Sequence, residues 1–82
     1  MIIKYPLSTE KTIRLMESQN KLIFVVDRKA KKQEIKKAIE DAFKAKVDKV
    51  STMIDTSGRK RAFVKFSAET PAIDVATKLG II

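Results

Sequence analysis

Five apolar residues in a row, Leu22-Ile23-Phe24-Val25-Val26, constrain this chain more than any other segment. All are apolar, most are β-branched or aromatic, and along an extended backbone they point alternately to both sides. A strand of this kind is expected to be covered on both faces. The run is far too short to cross a bilayer. A chain of 82 residues has room for one domain, residues 1–82, with one core, so the remaining elements must be fitted around that strand.

Turn signals divide the rest. Ile2-Ile3-Lys4-Tyr5 reads as a short extended piece ended by Pro6, which also pushes Tyr5 away from helical geometry. Ser8 or Thr9 can cap a first helix through about Glu17, with Glu10 in the first turn where the helix dipole favours an anion. Ser18-Gln19-Asn20 breaks it. Ile35, Ala38, Ile39, Ala42 and Phe43 recur at three and four, one face of a helix over 32–44. Its cap position is Ala30 or Lys31, both poor caps. Val50, Thr52 and Ile54 alternate in a strand over 47–54, Asp55-Thr56-Ser57-Gly58 turns, and 61–66 returns with Ala62, Val64 and Phe66 on one face. Thr70 as N-cap, Pro71 as first helical residue and Gly80 as stop predict a last helix over 72–79.

The order is β-α-β-α-β-β-α, an α/β (α+β) class chain with a small, mostly antiparallel sheet. The strands at 22–26 and 47–54, joined by a helix, should run parallel, with 61–66 between them as a split βαβ. The expected layering is α/β/α: helix 32–44 on one face and the two outer helices on the other.

Catalytic chemistry is absent from the residue inventory. There is no cysteine and no histidine, which removes thiol chemistry, the commonest general base and the commonest metal ligand. The carboxylates are scattered, and the two glycines stand apart as turn and cap, so no phosphate-cradling loop exists. No enzyme activity, cofactor, metal or small-molecule substrate is expected. The N-terminal residues Met1 to Pro6 do not form a signal peptide, and the expected location is cytoplasmic, without membrane insertion.

Charge points elsewhere. Eighteen Lys and Arg against ten Asp and Glu leave a formal charge of +8. Thermal adaptation enriches both signs together, whereas a one-sided excess suits an anionic partner, nucleic acid first. Arg28, Lys29, Lys31, Lys32, Lys36 and Lys37 fall within ten positions holding one acid, Glu34; Arg59-Lys60-Arg61 forms a second cluster at the hairpin tip. Each alone also reads as a solvated or edge-protecting surface. Phe24, Phe43, Phe63 and Phe66 fall on element faces and read as core, so phosphate and shape contact with folded RNA is expected, with little base reading.

The segments Tyr5-Pro6-Leu7-Ser8-Thr9-Glu10-Lys11, Asn20 to Val26, Lys32 to Glu40, Val47 to Thr52 and Asp74-Val75-Ala76-Thr77-Lys78-Leu79-Gly80-Ile81-Ile82 resemble the universal large-subunit ribosomal proteins numbered twenty-three. The short Thr56-Ser57-Gly58 turn and the Leu-Gly-Ile-Ile ending look like the archaeal and eukaryotic branch; the bacterial branch has a longer hairpin reaching into the exit tunnel. The resemblance implies a ribosomal protein bound to large-subunit rRNA beside the tunnel exit, among neighbouring large-subunit proteins, with an outer side that docks targeting factors such as signal recognition particle, or chaperones. Glu10 matches the family's factor contact, although it also suits its own helix dipole. Lys4, Ser8, Thr9, Lys11, Asn20 and Lys21 match the rRNA contacts around the first helix. Lys31 stands where relatives often have a threonine cap. Two other classes compete: a docking adaptor for acidic proteins, and a small ferredoxin-like enzyme acting on acyl phosphates, which needs an anion-cradling loop absent here.

Overall fold

The elements follow in the expected order: β1 (Ile3–Pro6), α1 (Glu10–Gln19), β2 (Lys21–Val26), α2 (Lys32–Phe43), β3 (Val47–Ile54), β4 (Lys60–Phe66) and α3 (Ala72–Leu79). The computed structural model describes residues 2–80; Met1, Ile81 and Ile82, from the terminal segments quoted above, lie outside the described residues. The strands form one sheet in the order β1-β2-β4-β3, each neighbouring pair antiparallel. β4 therefore lies between β2 and β3, which run parallel, and the split βαβ is present.

The layering differs from expectation. Cross-strand partners share a face, and the register pairs Leu22 with Val64, Val64 with Val50, and Phe24 with Ala62. These residues form one buried cluster with Met16 of α1, Ile35 and Ile39 of α2, and Ala72, Val75 and Ala76 of α3. The Phe43 ring stacks on Phe24 at 6.3 Å, and Lys78 Nζ donates to the Phe43 carbonyl at 3.3 Å, which sets α3 beside α2. All three helices thus pack on one face, giving two layers. Ile23 and Val25 point to the other face and are still only 3% and 2% exposed. Their cross-strand neighbours, Phe63 for Ile23 and Arg61 and Tyr5 for Val25, close them in. A doubly apolar strand needs shielding on both sides, but long side chains on the two adjoining strands supply it as well as helices do.

Two helix ends are set by Asn20. It ends α1 in the left-handed region (φ 56°), its N–H donating to the Leu15 carbonyl; Ser18 Oγ donates to the Arg14 carbonyl and stays within the helix, so α1 runs two residues past Glu17. The Asn20 amide nitrogen donates to the carbonyls of Phe66, Ser67 and Thr70, each at 3.1 Å, and its oxygen accepts from the Ala72 N–H at 2.6 Å. α3 is thereby capped from 52 positions away. Thr70, expected as that cap, instead accepts the Lys46 N–H on its hydroxyl, and Pro71 occupies the cap position. Thr9 rather than Ser8 caps α1, exchanging hydrogen bonds with Thr12. At Lys31 the missing side-chain cap of α2 is offset by Glu34, whose carboxylate accepts the Lys31 N–H at 2.9 Å.

Candidate nucleic-acid interface

The sheet face without helices is ordered in rows by the register. One row holds Lys21, Lys65 and Lys49; the next Ile23, Phe63 and Ser51; the next Tyr5, Val25, Arg61 and Met53. Lys49 and Lys65 are exposed, Phe63 is half-buried, and Tyr5 and Met53 are 42% and 48% exposed. Arg59 adds a fifth cation beside Tyr5, its Nη1 donating to the phenol oxygen at 3.0 Å. A half-open aromatic ring therefore sits in the middle of a face carrying five cations. Phosphates can be held by the lysines while the ring offers a stacking surface.

The hairpin tip at the end of this face is tied together by one carboxylate. The Asp55 carboxylate accepts the Ser57 and Arg59 N–H groups at 2.9 and 3.0 Å and the Arg61 Nε at 3.0 Å. These contacts, the Arg59 N–H foremost, hold its pKa below the ordinary aspartate value. Gly58 turns the chain at φ 82°, where any side chain would be strained. The tyrosine hydroxyl and Asp55 beside Arg59 raise its pKa further, so it stays cationic.

Two basic clusters that are far apart in sequence meet at this end. Lys60 Nζ donates to the carbonyls of Ala30 at 2.6 Å and Arg28 at 3.4 Å, joining the tip to the loop before α2. Arg28, Lys29, Lys31 and Lys32 are exposed there. Lys4 lies close enough to Asp27 to help lower its pKa, after the hydrogen bond from the Lys29 N–H. Lys36 and Lys37, although exposed, sit on α2 in the helical layer and are not part of the open face.

The residues around α1 separate. Lys21 lies on the open face and Lys11 is exposed on the helix. Ser8 is exposed beside the cap, the Thr9 hydroxyl is held by its capping bonds, and the Asn20 amide is committed to the internal contacts described above. Glu10 is 81% exposed and paired with Arg14 Nη2 at 2.7 Å. The groove between α1 and α3, of about 310 Å³, is lined by Met16, Glu17, Asn20, Pro71, Ala72 and Ile73, with a single carboxylate. Among the described residues no group of three or more His, Cys, Asp or Glu side chains could hold a metal, and no helix is long and apolar enough to cross a membrane.

The open face adds Lys49, Lys65 and Phe63 to the candidates legible as charge runs in the sequence. The signal was present: in Lys60–Phe66 the positions alternating with Ala62, Val64 and Phe66 are Arg61, Phe63 and Lys65, and in β3 those alternating with Val50, Thr52 and Ile54 are Lys49, Ser51 and Met53. Phe24 and Phe66 are core and Phe43 packs against them, as expected, but Phe63 is not in that cluster.

Comparison with known proteins adds two findings. Residues 1–77 match the family model described as Ribosomal protein L23. The large ribosomal subunit protein uL23 of Trypanosoma brucei brucei is 44% identical over 81 residues, which is 99% of this chain and 49% of that protein. The chain thus spans about half the length of that relative.

Proposed function

This chain belongs to the ribosomal protein L23 family, and from that premise we propose that it is a structural, non-enzymatic constituent of the large ribosomal subunit in the cytoplasm, binding large-subunit rRNA through the open sheet face and the basic end next to it. The observation that carries the surface assignment is the row of Lys21, Lys65 and Lys49 beside Phe63 on the face that no helix covers. The lysines and arginines hold phosphates of folded RNA, and the Phe63 ring takes an unpaired base, because stacking needs only a π-face. Arg28, Lys29, Lys31 and Lys32 extend the same positive surface around the sheet end. The rRNA lies beside the polypeptide exit tunnel, with neighbouring large-subunit proteins, and the exposed α1 side with Glu10 docks targeting factors or chaperones; for these finer assignments the support is the family resemblance and the exposure of Glu10.

A photoreactive phenylalanine analogue at position 63, in protein assembled into large subunits, tests the face. Crosslinks to rRNA from position 63 and none from the same analogue at Lys37, in the helical layer, are expected. The reverse pattern overturns the surface assignment. For the docking side, Glu10→Lys should weaken capture of targeting factor by assembled subunits while leaving rRNA binding intact.

A further inference from the structure

The two edges of the sheet are built differently. β1 has four residues, carries Lys4 and Pro6, and is broken by an irregularity between Ile3 and Tyr5. Shortness, charge, proline and a bulge are the devices that stop another strand from pairing with an edge. β3 has eight residues, and its register shift is confined to Val47–Lys49. From Val50 to Ile54 it contains no charge, proline or glycine.

The hydrogen bonds fix which backbone groups of β3 face outward. The Asp55 N–H donates to the Arg59 carbonyl at 2.9 Å, and on the other side of β4 the Phe66 N–H donates to the Asn20 carbonyl at 3.1 Å. An antiparallel ladder alternates with period two, so Lys49, Ser51 and Met53 bond to β4. Val50, Thr52 and Ile54 then turn their N–H and C=O groups away from the sheet. Among the described residues no strand pairs with that side. Met53 and Ile54 are 48% and 53% exposed and point to opposite faces, so an incoming strand would find apolar surface above and below it.

The geometry points to the Val50–Ile54 edge as a strand-addition site for an extended segment of another polypeptide, apolar and alternating in its middle and acidic at its ends. Backbone pairing supplies the affinity and the two exposed apolar side chains the selectivity. Charge chooses the occupant. Cations outnumber acids at both ends of the edge, Lys49 and Lys65 against Asp48 at one and Arg59, Lys60 and Arg61 against Asp55 at the other, so acidic flanks are attracted. A second copy of this chain would bring another eight positive charges. RNA offers no evenly spaced amides to continue a ladder. The outward backbone groups of Val50, Thr52 and Ile54 are not part of the proposed rRNA face, although Lys49, Met53 and Arg61 border both, and either reading can fail without the other.

The test uses the full chain and a synthetic peptide with a Val-Thr-Val-Thr-Val centre and two glutamates at each end. Binding should slow amide exchange at Thr52 and Ile54 by about tenfold or more, with Ser51 and Met53, already bonded to β4, unchanged. Thr52→Pro removes an outward N–H without touching the β3–β4 ladder and should abolish binding; Ile54→Lys, which keeps every backbone group, should weaken it by about tenfold and guards against misfolding of the proline variant. Protection of Thr52 and Ile54 that rises with protein concentration in the absence of peptide would assign the edge to a second copy and overturn the proposal. So would equal protection by an RNA oligonucleotide, or peptide binding that leaves both amides unprotected.

Discussion

The two faces of one sheet are made by the same strands and carry opposite chemistry. On the covered face, Leu22, Phe24, Val26, Ala62, Val64 and Phe66 are at most 2% exposed and hold three helices. One residue along, on the open face, Lys21, Lys65 and Lys49 stand in a row beside Phe63. Strand periodicity separates the two sets cleanly, so stability and the proposed RNA recognition should be changeable almost independently. The comparison also explains how so basic a chain keeps an unbroken core: Lys21, Lys49 and Lys65 alternate with core residues, and Lys60, in phase with those core residues, lies at the strand end with its Nζ on the Ala30 and Arg28 carbonyls.

The comparison can be broken most decisively from the core side. Phe24→Ala removes a fully buried ring and should lower unfolding free energy by about 3–5 kcal/mol in denaturant titration, with the salt dependence of RNA binding unchanged in the protein that remains folded. Asn20→Ala comes next. It strands the Ala72 N–H and three carbonyls and forces alanine into a left-handed conformation, so a loss of about 2–4 kcal/mol is expected by the same measurement. RNA affinity per folded molecule should not change; if it falls while stability holds, Asn20 is an RNA contact after all.

From the open side, replacing Lys21, Lys49 and Lys65 by Gln should reduce the salt slope of rRNA-fragment binding by roughly 2–2.7 and the affinity at physiological salt by about a hundredfold. The melting temperature should move by only a few degrees at most, since these are surface changes. Phe63→Ala should cost about 1–3 kcal/mol of RNA binding and leave the salt slope alone. A changed slope with Phe63→Ala, or an unchanged one with the lysine triple, would erase the division of labour between ring and cations. The smallest effect concerns Asp55. Its pKa is lowered in the folded chain, so its contribution is complete above the ordinary aspartate value of about 3.9. That contribution is lost as pH falls through the lowered folded value. Protection factors of the Ser57 and Arg59 amides, whose N–H groups the Asp55 carboxylate accepts, should be flat from neutral pH down to about 5 and fall only in stronger acid.

Much of this was readable one segment at a time. The helix over 32–43 follows from apolar spacing, the hairpin from two alternating runs around Asp55 to Gly58, and the end of α3 from Gly80. The basic loop before α2 was visible as a charge run. Its junction with Arg59-Lys60-Arg61 was not, because Lys60 reaches the Arg28 and Ala30 carbonyls across 32 and 30 positions of sequence. Phe63 reads as core from the sequence, because a phenylalanine in a strand says nothing about which face is covered, yet it lies half-buried outside the core cluster.

The amino-acid order by itself determined the elements, their sequence along the chain and the parallel relation of β2 and β3, since these depend on local periodicity and on how far a helix carries the chain. It also determined the sign of the surface. Only the tertiary structure decided that all three helices share one face, that Asn20 caps a helix 52 positions away, and that the cations of three strands form a single row. Those outcomes turn on which side of a sheet is buried. A period-two pattern specifies two faces but cannot say which of them the helices will cover when both can be shielded.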